Sequence, residues 1–476
     1  MSIRSAVAWT FSEQMLRYVV RLGASVVIAR LLTPGEMGVF ALAVSASVLL
    51  ESLRLFGVGS YLIREPDLDD GRIRSALGLM MALSWPLGAL LWLGRDAVAA
   101  VYAEPGIGDV LAILAVEYFV APFAIVPTAL LSRDMRFRTL HHIGLASATT
   151  SAAVSVGLAW LGMSYLALAW GNLALTAGGV LFAALFNPRG IYLLPSSRHW
   201  REVGHFGGLL SLTSIVSTVN SEGTKLILGG VLSPAQVGLY ERAVQLPDLF
   251  RRSVFAPLGR VIVPAWSSDL REKRSIDQSA LTLVAVSTAV VWPVFLALGL
   301  IAEPFIVLVF GANWRVAGQV MPVLLLAQSL FVALPQPEQV LIPHGRVRTL
   351  LGVRTAAAAF SLATAVYGAW HGLEGFVVAR LGAALFLTCL VYFSVRAPLG
   401  FAWRRYAGVY LRSAVVATIA AAPAAIQARL SPDRIELVGV AVLAVSCGAA
   451  WLVAVIVVHP PMRAELARLR RAVVRR

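Results

Sequence analysis

Fourteen apolar runs, each about long enough to cross a bilayer, partition this chain almost from end to end. A transmembrane helix needs about 20 mainly apolar residues. Seven runs lie near 11–31, 38–60, 75–93, 109–131, 141–160, 164–186 and 205–230. Seven more lie near 237–264, 278–301, 319–341, 349–369, 373–395, 407–427 and 437–458. No connector between them is long enough for a water-soluble domain. Charged residues make up 14% of the chain and hydrophobic ones 58%, whereas a soluble domain is about 25% charged. A soluble globular enzyme is therefore excluded, and the expected class is an all-α polytopic membrane protein. The first run holds Glu13, Arg17 and Arg21 inside its apolar sequence and lacks a small-x-small cleavage site. It should stay attached as a structural helix and not be removed as a signal peptide.

The net charge of +15, carried by 40 Lys and Arg against 25 Asp and Glu, has a topological reading. Alternate connectors and the tail hold 26 bases, among them Arg64, Arg72, Arg74, Arg133, Arg136, Arg138, Arg271 and Arg274. The opposite connectors hold 4: Arg95, Arg315, Arg429 and Arg434. Basic loops stay in the cytoplasm, so both termini are expected there, as an even helix count requires. The excess is then an orientation signal and a contact for anionic membrane lipid, and no nucleic acid is expected. The tail Met462–Arg476 fits either a short basic amphipathic helix on the inner leaflet or a solvated orienting tail. The two cysteines, Cys389 and Cys447, are too few for a disulfide framework or a cysteine-based zinc site.

An internal repeat organises the runs. Leu32-Thr33-Pro34-Gly35-Glu36-Met37-Gly38-Val39-Phe40 returns as Leu232-Ser233-Pro234-Ala235-Gln236-Val237-Gly238-Leu239-Tyr240. A hydroxyl residue followed by proline suits a helix start, since it caps free N–H groups and places proline where no donor is needed. Gly38 and Gly238 would let each helix begin close against a neighbour. The repeats fall in runs 1–2 and 7–8, so the halves share one orientation and a pseudo-axis along the membrane normal. The expected organisation is a six-helix lobe over 1–186, a cytoplasmic linker over 187–204 and a second six-helix lobe over 205–396. An additional helix pair over 397–458 and a basic tail over 459–476 follow.

The stretch Ala29–Ala43, ARLLTPGEMGVFALA, is similar to the first connector of the Wzx-type oligosaccharide-lipid flippases. These belong to the multidrug/oligosaccharidyl-lipid/polysaccharide superfamily. Ala302–Leu324, with Glu303-Pro304, Phe310-Gly311, Trp314 and Ala317, resembles their second-lobe signature, and Leu232–Ala243 completes the likeness. Fourteen spans suit the polysaccharide and lipid II branches. The resemblance implies a non-enzymatic flippase of the bacterial inner membrane, serving exopolysaccharide, capsule or O-antigen biosynthesis. Its implied cargo is an undecaprenyl-pyrophosphate-linked oligosaccharide, moved by alternating access of two lobes around a basic central cavity. A polysaccharide polymerase is an expected partner. No cofactor is implied beyond a coupling H+ or Na+.

Ionisable residues inside the runs mark candidate sites, because a charge at mid-bilayer costs about 2.5–3.5 kcal/mol on insertion scales. Run 1 carries Glu13, Arg17 and Arg21 at intervals of four, hence on one face. Run 2 carries Glu51 and Arg54. Run 7 carries Glu222 and Lys225, and run 8 carries Glu241, Arg242, Asp248, Arg251, Arg252 and Arg260. Elsewhere the embedded charges are few: Glu117, Glu338 and Arg380. A pyrophosphate needs cations, and arginine grips phosphate with a planar fork while lysine acts as a point charge. Arg17, Arg21, Arg54, Lys225, Arg242 and Arg251 are the candidate cargo ligands; Glu13, Glu222, Glu241 and Asp248 are the candidate ion-coupling carboxylates. The competing reading is local pairing: Glu13 with Arg17, Glu51 with Arg54, Asp248 with Arg251 or Arg252, Glu222 with Lys225, and Glu241 with Arg242.

Other signals are weaker. Pro335-Gln336-Pro337 should break a helical ladder, as a hinge or as a packed kink. Asp67-Leu68-Asp69-Asp70 could suggest a metal–diphosphate site, but Asp69 or Asp70 capping the third run explains it better. No P-loop, zinc-protease, nucleophile-elbow or dinucleotide motif is present, and no metal site is expected. Two alternatives to the flippase remain: a membrane-embedded glycan polymerase or ligase, and an ion-coupled drug antiporter. The first would need convergent His, Arg or Asp on a long outer connector. The second handles cationic cargo and calls for an acidic cavity.

Overall fold

The computed structural model describes residues 16, 19–54, 58–187, 194–200, 202, 208–272, 274–400, 403–430, 436–460 and 462–463. Glu13, Arg17 and the tail beyond Arg463 lie outside the described residues. Every regular element among the described residues is a helix. Residues 19–31 are helical, and α1 (Pro34–Arg54), α2 (Val58–Arg64), α3 (Asp70–Val101), α4 (Pro105–Arg133), α5 (Phe137–Trp160), α6 (Ser164–Phe186) and α7 (Gly208–Val231) follow. The second part holds α8 (Pro234–Arg271), α9 (Asp277–Leu300), α10 (Ala302–Phe310), α11 (Arg315–Val332), α12 (Pro337–Leu341), α13 (Val347–Ala369), α14 (Gly372–Val395), α15 (Trp403–Leu430) and α16 (Leu437–Val458). Among the described residues, 11 helices are long and apolar enough to cross a membrane, and the chain is a multi-pass membrane protein. The more polar α7 and α8, which carry most of the embedded charge, are not among them.

Contacts divide the chain into two compact units, Met1–Gly238 and Leu239–Arg476. In the first, α5 packs on α6, α4 on α3 and α6, and α1 on α4 and α7. Its core joins α2, α3 and α4 through Tyr61, Leu62, Leu77, Met80 and Val126. The helix α7 falls in this unit because it lies along α1: an added Cβ on Gly229 would meet the Leu42 side chain at 2.4 Å.

The repeated motif meets itself here. A Cβ on Gly38 would stand 1.7 Å from the Pro234 carbonyl oxygen, and a Cβ on Gly238 would stand 2.1 Å from that of Pro34. The first turns of α1 and α8 therefore cross backbone to backbone, each glycine seated on the other repeat's proline. Only a residue without Cβ fits at either place. Thr33 and Glu36 close the start of α1: the Thr33 N–H donates to Glu36 Oε2 at 2.7 Å, and the Glu36 N–H donates to Thr33 Oγ1 at 3.3 Å. That is a reciprocal capping box.

Segment 194–200 is laid over the start of α3. The Ser196 N–H donates to the Arg74 carbonyl at 3.0 Å, and the His199 N–H donates to Ser75 Oγ at 3.3 Å. Arg72 stands 3.6 Å from both Glu65 and Glu202. Asp69 is the N-cap of α3, accepting the Arg72 N–H at 2.7 Å, so the acidic cluster is a helix start. That N–H, above all, holds the Asp69 carboxyl below its ordinary range, and the nearby Arg72 and His199 act in the same direction. A carboxyl lowered in the folded state stabilises above its unfolded value and loses that contribution as pH falls through the folded value. Asp69→Ala should therefore lower the unfolding temperature at neutral pH and approach wild type in acid, once the pH has fallen through the folded value. Thermal unfolding at both pH values checks this; an equal deficit at acid pH would remove the cap from the account.

In the second unit α13 pairs with α14, α9 packs on α15 and α11, and α15 on α16. Trp266, Ala280, Leu334, Val340, Val353 and Val391 form its core. The helix breaks between α11 and α12 at Pro335-Gln336-Pro337, as the two prolines require. Three carbonyls beside the break have side-chain donors: Ser329 O from Trp292 Nε1 at 3.1 Å, Phe331 O from Gln336 Nε2 at 3.0 Å, and Ala333 O from Tyr410 OH at 2.7 Å. Gln336 and Gln339 then cap α12 reciprocally. The break is a packed kink fixed by side chains of α9 and α15. A buried polar chain, Thr288 Oγ1 to Ser413 Oγ at 2.8 Å and Ser413 Oγ to His459 Nε2 at 3.2 Å, ties α15 and the end of α16 to α9.

Candidate functional site

Among the described residues of the first unit, embedded charges cluster at two places on α1 and its neighbours. Toward the middle of α1, Ser45 Oγ donates to Glu222 Oε2 on α7 at 2.9 Å. Glu222 also lies 2.8 Å from Lys225 Nζ, three residues on, and its Oε1 accepts from Ser221 Oγ at 3.2 Å. The pair remains partly open, with side chains 20% and 13% exposed for Lys225 and Glu222. Nearer the end of α1, Arg54 is 4% exposed and its Nη2 pairs with Glu51. Its guanidinium lies 5.4 Å from the Tyr118 ring centroid on α4. Tyr118 OH donates in turn to the Ser47 carbonyl at 2.5 Å. Arg21 lies exposed in the helical residues 19–31.

The second unit treats its cations differently. Arg242, on the first turns of α8, is 2% exposed. Its guanidinium carbon stands 4.5 Å from the Phe310 centroid and 4.8 Å from that of Trp314, and Nη1 donates to Gln245 Oε1 at 2.6 Å. A desolvated cation over aromatic faces gains about 2 kcal/mol or more. Gly311, with φ of +104°, makes the turn that returns Trp314 to this position. Arg242 thus clamps α8 onto the end of α10, with Glu241 beside it as an electrostatic neighbour. Farther along α8, Arg251 Nη2 meets Asp248 Oδ1 at 2.7 Å. The guanidinium carbon lies 4.8 Å from the Phe331 centroid, and Gln328 Nε2 donates to Asp248 Oδ1 at 3.3 Å. This pair is also partly open, with side chains 20% and 21% exposed.

Three of the expected local pairs are therefore present: Glu51–Arg54, Glu222–Lys225 and Asp248–Arg251, each closed over one helical turn. They divide by accessibility. Arg54 and Arg242 are withdrawn inside their own units, whereas Lys225 and Arg251 keep part of their surface. Lys225 on α7 and Arg251 on α8 each keep a carboxylate partner that an incoming anion could displace. Sequence reasoning missed the residues that hold these pairs in place, Ser45, Tyr118, Gln328 and Phe331. Nothing local in their spacing signals those contacts. Among the described residues no cluster of His, Cys, Asp and Glu could hold a metal ion.

Comparison with known proteins adds to this geometry. Residues 27–319 match the family model described as "Polysaccharide biosynthesis protein". The teichuronic acid biosynthesis protein TuaB of Bacillus subtilis (strain 168) is 21% identical over 349 residues, covering 72% of this chain and 72% of that protein. The succinoglycan biosynthesis transport protein ExoT of Rhizobium meliloti (strain 1021) is 21% identical over 406 residues, covering 83% and 78%. Among solved structures, the lipid II flippase MurJ in an inward closed conformation superposes with a TM-score of 0.71. That match has 12% identity and covers 94% of this chain and 97% of that one. At such identity the last likeness is one of fold.

Proposed function

The chain belongs to the polysaccharide biosynthesis protein family, and from that premise we propose that it is a flippase for lipid-linked oligosaccharides. The cargo is an undecaprenyl-pyrophosphate-linked repeat unit, carried by alternating access from the cytoplasmic to the outer leaflet of the bacterial inner membrane. Both termini are cytoplasmic in this reading, and the basic connectors contact anionic lipid. The observation that carries it is the two partly open ion pairs, Glu222–Lys225 on α7 and Asp248–Arg251 on α8. A carboxylate already compensates each cation, so the pairs cost less at membrane depth than lone charges. A pyrophosphate can take the carboxylate's place with stronger, charge-assisted hydrogen bonds. Lys225 and Arg251 are the proposed phosphate ligands and Arg21 an auxiliary one. Arg54 and Arg242 shape the helices that present them. Glu222 and Asp248 hold the cations between cargoes and Glu241 balances charge beside Arg242.

The competing reading, a membrane-embedded glycan polymerase or ligase, predicts a different lesion. Loss of a flippase leaves intact lipid-linked repeat units on the cytoplasmic leaflet, whereas loss of an enzyme changes the glycan. The test is the sidedness of lipid-linked repeat units in a deletion strain, read with an impermeant sugar-modifying reagent applied from outside. Protection of the repeat units from the reagent is the expected result. Repeat units equally labelled in deletion and wild-type strains would overturn the proposal.

A further inference from the structure

A second polar cluster lies inside the first unit, away from the half-open pairs. It joins Glu51 and Arg54 of α1, Glu117 and Tyr118 of α4, and Asn172 of α6. Asn172 Nδ2 donates to Glu117 Oε2 at 3.3 Å. Glu117 Oε1 is buried and makes no hydrogen bond among the described residues, and the same holds for Nε and Nη1 of Arg54. Glu51 and Arg54 both lie within electrostatic reach of Glu117. Glu117 sits near the middle of the 29-residue α4, a membrane-spanning helix.

The charge count decides what the cluster binds. Two carboxylates surround one guanidinium, and Glu51 already engages that guanidinium. Among the described residues, the helices α2, α3, α5 and α6 packed against α4 supply no further cation at this depth. No charged residue occurs in α6, and the charges of α3 stand at its ends, Asp70, Arg72 and Arg74 at one and Arg95 and Asp96 at the other. Those of α2 and α5 are likewise terminal: Arg64 on α2, and Arg138, His141 and His142 on α5. With every group ionised one negative charge stays uncompensated; Glu51, its side chain 39% exposed, already engages Arg54, so that charge falls on the buried Glu117, a costly state in a low dielectric. An anion is thereby refused. A sodium ion needs several oxygen ligands, and the Asn172 amide turns a nitrogen toward Glu117. The missing charge is one proton.

We propose that Glu117 is a proton-binding site of the first unit: at neutral pH it holds one proton on Oε1, set by the charge balance of Glu51 and Arg54. The site involves no cargo, so it stands or falls separately from the flippase reading. Infrared spectroscopy of the purified full-length protein in lipid vesicles tests it through the carbonyl band of protonated carboxyl groups. Wild type should show at pH 7 a component that is missing from Glu117→Gln. Glutamine copies the neutral acid in shape, so that variant should stay folded. In Glu51→Gln one carboxylate faces one guanidinium, and the same component should vanish because Glu117 then ionises. If Glu117→Gln does not fold, the loss of that component in Glu51→Gln carries the test alone. A spectrum unchanged in both variants, or a wild type without the component at pH 7, would overturn the proposal.

Discussion

Gly38→Ala is expected to lower the stability of the purified protein by about 3 kcal/mol or more, at or beyond the upper end of ordinary overpacking. The added methyl would stand 1.7 Å from the Pro234 carbonyl oxygen and 2.3 Å from its carbon. Both belong to backbone, so no rotamer change can relieve the clash and the two helix starts must separate. Gly238→Ala meets the Pro34 carbonyl at 2.1 Å and should behave alike. The double substitution should fall short of the sum, because one separation relieves both. Gly94→Ala and Gly157→Ala are the controls, since nothing lies within 4 Å of either added Cβ. There alanine should be neutral or stabilising by a few tenths of a kcal/mol, up to about 1. Thermal unfolding of the five variants in one detergent decides it. Equal midpoints for Gly38→Ala and Gly157→Ala would show that the crossing does not constrain the fold.

Glu222→Gln/Lys225→Gln is expected to cut export sharply, by about ten- to hundredfold at limiting cargo, while leaving the protein at wild-type abundance. Lysine removed alone leaves a carboxylate without its cation, which costs about 3–5 kcal/mol when a fully buried pair is broken. The pair is partly exposed, so the cost here is smaller, yet it would still confuse misfolding with lost function. The double substitution removes both charges and keeps a hydrogen-bond acceptor for Ser45 Oγ. Losing one charge-assisted hydrogen bond to a phosphate costs roughly 1.5–3 kcal/mol, or about a ten- to hundredfold fall in affinity. Glu222→Gln alone leaves the cation in place and should keep export. Polymer output per cell, normalised to membrane-inserted protein, is the measurement. Wild-type output from the double variant would remove Lys225 from the proposed site.

The sequence shows clearly what depends on local pattern. Apolar runs give the helix positions, Pro34 and Pro234 give two helix starts, and Pro335-Gln336-Pro337 gives the break. Pairs spaced by three residues, Glu51–Arg54 and Asp248–Arg251, can be weighed from spacing alone, because a helix brings such residues to one face. Long-range contacts leave no such trace. The repeat is visible as two motifs, but that Gly38 and Pro234 touch, 196 residues apart, is a fact of packing. Arg242 reads from sequence as a candidate anion ligand or a partner of Glu241, since its aromatic cover arrives from Phe310 and Trp314, beyond the next helix. Glu117 stands out as an embedded charge, while its partner Asn172 follows 55 residues later in an uncharged helix. Burial decides these cases, and burial is set by the whole fold.

The interrupted helix in the second unit bears on how that unit can be dissected. The Ala333 carbonyl has its donor in Tyr410, a residue of α15, and Trp451 of α16 donates to the Ala289 carbonyl at 2.7 Å. In hydrocarbon an unmet peptide group costs several kcal/mol. A chain truncated after Gly400 would strip a donor from the kink and another from the helix beside it. The last two helices are thus no detachable appendage: they complete the interior of the unit on which they are packed.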